Sequence, residues 1–156
     1  VIKWGLFLKQ QEKISESRES SMLHHIEINV SNLANSRLFY DKLFAELGYE
    51  LYQEWEEGFC YRYRATYLVF VQTEEDYSEP SYHRKQTGLN HLAFCLPSKA
   101  QVDALRERLR SDGVTLLYDD RYPHAGGPDH YAVFFEDPDR VKLEVVWEEN
   151  EYATFS

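Results

Sequence analysis

Two periodicities alternate along the chain, and their order repeats. Over residues 24–30 apolar and polar positions alternate with a period of two, which predicts a strand. Ser31 and Asn32 follow as N-cap candidates, and Leu38, Phe39, Leu43, Phe44 and Leu47 continue as a helical apolar pattern that Gly48 stops. Three strand-like runs come next, at residues 49–55, 59–64 and 66–72. Residues 73–86 are polar, charged and broken by Pro80, and read as a linker or flap. The second half repeats the order. Residues 89–96 form a strand, Pro97 and Ser98 open a helix through Val102, Leu105 and Leu109, Gly113 stops it, and strands follow at 114–118, 131–135 and 141–147. His25 and His91, and likewise Gly48 and Gly113, recur at the same interval to within one residue. Such a repeat predicts an α+β fold of two βαβββ modules, residues 22–72 and 87–149 around linker 73–86, with a curved mixed sheet enclosing a shared metal cavity. Residues 1–21 and 150–156 read as tails.

Strand parity sorts the side chains by face. Ile26, Ile28 and Val30 would pack on the helices, leaving His25, Glu27 and Asn29 opposite. Leu92, Phe94 and Leu96 oppose His91, Ala93 and Cys95, and Leu143, Val145 and Trp147 oppose Lys142, Glu144 and Val146. Three strands thus put a metal-capable side chain on the face away from the helices. A one-residue slip would reverse any of them, so their agreement carries weight. His25, His91 and Glu144 are the expected metal ligands. Two neutral imidazoles and a carboxylate suit Fe(II), Mn(II), Zn(II), Ni(II) or Co(II) and leave positions open for substrate.

Composition narrows the partners. Hydrophobic residues at 43% and aromatics at 15% argue against disorder, and 156 residues suit one domain. A net charge of -10 argues against nonspecific nucleic-acid binding and points to a small-molecule or protein partner. No apolar run is long enough to span a membrane. With only Cys60 and Cys95, a disulfide framework is not expected, and the cytoplasm is the expected compartment.

Three stretches, "LHHIEINVSNLANSRLFYDKLFAELGYEL", "TGLNHLAFCLPS" and "HYAVFFEDPDRVKLEVVW", resemble the vicinal oxygen chelate superfamily, the glyoxalase/bleomycin resistance/dioxygenase fold. The resemblance rests on a histidine opening each module, an "FY" helix, and "DPD" leading into "KLEVV". It implies metal ligands at His25, His91 and Glu144, the residues that parity selects. A fourth family position falls on Val69, which cannot ligate. That departs from the four-ligand glyoxalase I pattern and leaves lyase or isomerase, dioxygenase and thiol-transfer chemistries open. Arg140 replaces the usual glycine of "DPDG", which bears on the turn and not on the chemistry. The family also implies a homodimer, sometimes with exchanged modules. A non-enzymatic sequestering protein of the bleomycin-resistance type is the alternative.

Further candidates follow from faces. Glu144 doubles as a catalytic carboxylate. His130 shares a face with Ala132 and Phe134 and reads as a rim acid or base. Glu27, Val69 and Phe134 are substrate-wall candidates. Arg62 would favour an anionic substrate if it points inward, but the pattern of Tyr61, Arg62, Tyr63 and Arg64 leaves its direction open.

Overall fold

A computed structural model describes residues 23–148; the expected tails lie outside the described residues. The first module contains β1 (His25–Val30), α1 (Leu33–Leu47), β2 (Glu50–Trp55), β3 (Gly58–Tyr63) and β4 (Thr66–Gln72). A single 3-10 turn, Glu75–Tyr77, interrupts the connection to the second module. That module contains β5 (His91–Leu96), α2 (Lys99–Ser111), the two-residue β6 (Leu116–Leu117), β7 (Ala132–Glu136) and β8 (Lys142–Trp147), with a second 3-10 turn at Asp119–Arg121. Each module forms its own four-stranded mixed sheet, in the orders β1-β4-β3-β2 and β5-β8-β7-β6. The expected repeat is therefore the architecture: a strand, a crossover helix, and three antiparallel strands that return to pair beside the first.

The helices start and stop where local chemistry dictates. Asn32 accepts the Asn35 backbone N–H at 2.9 Å, and Ser98 accepts that of Gln101 at 3.3 Å, each satisfying a donor that the first turn leaves free. Gly48 closes α1 at φ 76°, a left-handed conformation that glycine adopts without steric cost. One stripe position differs from expectation. Leu38 is 68% exposed, and Tyr40 is fully buried in its place. Burial of the phenol is affordable because its hydroxyl donates to Asp137 Oδ2 at 2.8 Å. The predicted strand over 114–118 contracts to Leu116–Leu117.

One core serves both modules. Tyr40, Leu43 and Phe44 of α1, Phe70 of β4, Leu105 and Leu109 of α2, and Leu143 and Val145 of β8 belong to a single buried cluster. Contact between the modules runs through α1: Phe44 meets Phe94 edge-on at 5.7 Å, and Tyr40 reaches the turn between β7 and β8. Within one chain the modules therefore meet on their helix side. No described helix is long and apolar enough to cross a membrane.

Candidate metal centre

The second sheet builds the site. β8 lies between β5 and β7, and the register sets Glu144 beside Ala93 on one flank and Phe134 on the other. Lys142, two residues earlier, lies beside His91 and Glu136. Leu143 and Val145 point into the core, so this set occupies the opposite face. Glu144 is only 5% exposed. A buried carboxylate needs compensation, and two imidazoles supply it. His91 Nε2 lies 3.2 Å from Glu144 Oε2, and His130 Nε2 hydrogen-bonds Oε1. Gly126 lets the preceding loop lie flush on the His130 ring, since a Cβ there would come within 2.4 Å of that ring's Cδ2.

Proton positions around His91 test the fit to a cation. Asn90 Nδ2 donates to the Arg84 carbonyl at 3.1 Å, which turns Asn90 Oδ1 toward His91 Nδ1 at 2.8 Å. The amide oxygen only accepts, so Nδ1 carries the proton. In a neutral ring Nε2 is then an acceptor facing an acceptor carboxylate. A proton or a divalent metal placed there resolves that opposition. A second group that fixes the tautomer of a ligating histidine is a recurring feature of metal sites. His91 Nε2 and the Glu144 carboxylate are donors of the kind a divalent ion takes. Sequence reasoning missed Asn90; its one signal is its place immediately before His91.

His25 is not part of this cluster within one chain. It opens β1 in the other sheet, its ring stacked on Tyr67 at 4.9 Å and its Nδ1 2.8 Å from His24 Nδ1. Among the described residues no group of three or more His, Cys, Asp or Glu side chains is arranged to hold a metal within the single chain. Register puts the remaining candidates on the His25 face. Tyr67 aligns with both His25 and Arg62, and Val69 with Glu27 and Cys60. Arg62 therefore shares the His25 face, but it is exposed, crosses the Tyr52 ring at 5.1 Å and donates to the Arg64 carbonyl. Glu27 lines a cavity of about 780 Å³ along β1 and the linker, which His91, His130 and Glu144 do not reach. Volume alone would place the chemistry there. The buried carboxylate with its two imidazoles makes Glu144 the candidate instead.

The two registers superimpose position for position. His25 beside Tyr67 corresponds to His91 beside Lys142, and Glu27 beside Val69 corresponds to Ala93 beside Glu144. Val69 is thus the first-module counterpart of Glu144, as the sequence alignment of the strands implies.

Known proteins are similar to this chain in sequence and fold. An uncharacterized protein of Bacillus subtilis (strain 168), YqjT, is 52% identical over 124 residues, spanning 80% of this chain and 97% of its own length. The crystal structure of a candidate glyoxalase from Bacillus halodurans is 55% identical, covers 83% of this chain and 97% of its own, and superposes with a TM-score of 0.81. The fosfomycin resistance protein FosX of Listeria monocytogenes shares the fold at 21% identity and a TM-score of 0.61, covering 83% of this chain and 94% of its own. The profile of the glyoxalase/bleomycin resistance protein/dioxygenase superfamily matches residues 22–145. With the repeat, the two mixed sheets and this match in agreement, the chain belongs to the glyoxalase/bleomycin resistance protein/dioxygenase superfamily.

Proposed function

We propose that the protein is a metal-dependent enzyme acting on a small, oxygen-rich substrate, with a divalent ion held by His91, Glu144 and His25. The observation that carries this reading is the acceptor-to-acceptor approach of His91 Nε2 and Glu144 at 3.2 Å, with the His91 tautomer fixed by Asn90. A bound divalent ion would supply a Lewis acid for a substrate oxygen. Of the chain's own groups, Asn90 orients His91, Glu144 supplies negative charge, and His130 holds or releases a proton at Glu144 Oε1. Phe134, beside Glu144 in the register, forms an apolar wall. Lyase or isomerase, dioxygenase and thiol-transfer chemistries are all compatible with this set.

His25 enters through a homodimer. β1 and β5 are the end strands of their sheets and pair on one side only among the described residues. Such edges are prone to meet another chain. A dimer that brings one copy's β1 to its partner's β5 would carry His25 toward the second copy's His91 and Glu144. Metal analysis of protein purified without chelator should find one ion per chain, lost in His91→Ala and Glu144→Ala. In a mixture of His25→Ala with Glu144→Ala, the heterodimer should regain one tight site. Full metal binding by His25→Ala together with a monomer in sedimentation would sink the shared site. Absence of stoichiometric metal would sink the enzyme reading.

An aromatic row on the His25 face favours a second reading. Tyr52 and Tyr67 lie 6.1 Å apart beside the stacked His25 and offer a platform for a sequestered ligand. Ligand binding that survives metal removal would select a sequestering protein.

A further inference from the structure

Phe134 is the hub of the Glu144 face. Its ring contacts His130 at 6.2 Å and Tyr118 at 5.7 Å, and the Lys142 ammonium lies 5.7 Å from its centre and 6.0 Å from that of Tyr118. The Arg121 guanidinium covers the Tyr118 ring at 5.0 Å. Two cations therefore converge on one aromatic side chain at the border of the candidate metal centre. These separations fall within the about 6 Å over which a ring quadrupole attracts a cation.

Three observations bear on this pair. The chain is acidic, with 27 Asp and Glu against 17 Lys and Arg, and several arginines elsewhere are held by carboxylates: Arg37 by Asp41 and Glu54, Arg84 by Glu136, and Arg106 by Asp119. Lys142 and Arg121 make no ion pair among the described residues. Glu136, beside Lys142 in the register, is engaged by Arg84 and Arg140 instead. Next, the fold does not require a cation at this position, because the first-module counterpart of Lys142 is Tyr67. Finally, Tyr118 is held at φ 56°, a left-handed backbone that a tyrosine adopts only at a cost, where it begins the 3-10 turn that carries Arg121.

We propose that Lys142 and Arg121, seated on Tyr118 and Phe134, form an anion subsite that receives the carboxylate, or a like-charged group, of a substrate with an apolar or aromatic skeleton. Lys142 shares the sheet face of Glu144 two residues away, about 7 Å along the strand. A molecule of a few carbons would span from the metal to the ammonium. The lysine is half-buried, and in a partly desolvated setting a charge-assisted hydrogen bond to an anion is stronger than in water. The Phe134 and Tyr118 rings supply the apolar contact. As a substrate subsite this pair rests on the metal-enzyme reading; as an anion site it does not.

The test uses benzenesulfonate, an anion that is a poor metal ligand, and benzamide as its neutral counterpart. Both are titrated into the full-length protein, metal-free and zinc-loaded, by ligand-observed NMR. Benzenesulfonate should bind in both forms. Lys142→Met should weaken it by about tenfold or more, the scale of a lost hydrogen bond to a charged group. Lys142→Arg should retain it, and Arg121→Met should give a smaller loss. Benzamide should not distinguish the variants. Equal benzenesulfonate binding by wild type and Lys142→Met, or none by wild type, overturns the proposal. Should Lys142→Met fail to fold, the comparison passes to Lys142→Gln and Arg121→Met with the same criteria. Zinc uptake without Lys142-dependent anion binding removes the subsite and leaves the metal centre. Lys142-dependent anion binding without zinc uptake does the reverse.

Discussion

Arg140 carries the chain through the turn between β7 and β8 at φ 65°, where a side chain crowds its own backbone. Its guanidinium stands 3.7 Å from Glu136 and is largely in solvent, so that ion pair contributes little. Arg140→Gly should therefore raise stability by about 0.5–1 kcal/mol, the relief of the left-handed strain less the extra freedom of glycine in the unfolded chain. A urea midpoint at or below that of wild type would show that the side chain earns its place by contacts. This strain was legible in the sequence, because a "DPD" turn wants a glycine next. So was the face of His25, His91 and Glu144, because strand parity admits two answers and the apolar partners choose one. Asn90 was not legible. Its role depends on an amide held by the Arg84 carbonyl from a connection without regular structure, and no periodicity reports such a bond. Arg62 shows the same limit: alternation of Tyr and Arg gave no apolar face to anchor its direction.

At the scale of elements, capping chemistry outranks propensity. α1 begins at Leu33 because Asn32 stays extended, at φ -143°, and offers its side-chain oxygen to the Asn35 N–H. Asn32→Ala should lower stability by about 1 kcal/mol, measured by urea unfolding, while far-UV dichroism keeps its shape. An unchanged midpoint would mean that packing of Tyr40, Leu43 and Phe44 alone fixes the start of the helix. Long periodic elements were predicted well, because their apolar stripes are what the core selects. The misjudged positions are those where a local pattern competes with a distant partner. Leu38 fits a helical stripe but points to solvent. Tyr40 fits less well by polarity and is buried, because Asp137 on the far module satisfies its hydroxyl.

The same bond sets a property of the whole molecule. Asp137 Oδ2 accepts from Tyr40, and Oδ1 accepts the backbone N–H of Asp139 and Val141 at 2.9 and 2.8 Å, so one carboxyl links the first module's helix to the second module's turn. Burial pushes this carboxyl up to about 6, and the nearby Asp139 adds to the rise; its hydrogen bonds oppose it without cancelling it. An acid raised on folding binds its proton more tightly in the native state. The stability it contributes is thus present at low pH and is lost as pH rises from about 4 through 6. Asp103, Asp112 and Asp119, held below the usual range mainly by hydrogen bonds from Tyr122, Lys42 and Arg106 respectively, act in the opposite sense. Comparison with Asp137→Asn isolates the one group. The stability of that variant relative to wild type should improve between pH 4 and pH 7 by on the order of 2–3 kcal/mol, read by urea unfolding at both. A difference independent of pH would show that Asp137 titrates alike in both states. How the modules meet was the least legible feature. Parity identifies the faces of two sheets but not their mutual orientation, and packing through α1 keeps His25 from His91 and Glu144 within one chain.

The matched registers also bear on stereochemistry. A frame with true twofold symmetry would accept a ligand either way round. Here the two sheets match in register while their side chains do not: valine takes the place of glutamate, tyrosine that of lysine, and glutamate that of alanine. In the proposed dimer, a molecule lying across the two sheets would meet two different ends, and turning it about would exchange a charge for a ring. The scaffold is ambidextrous, and a handful of side chains makes it handed.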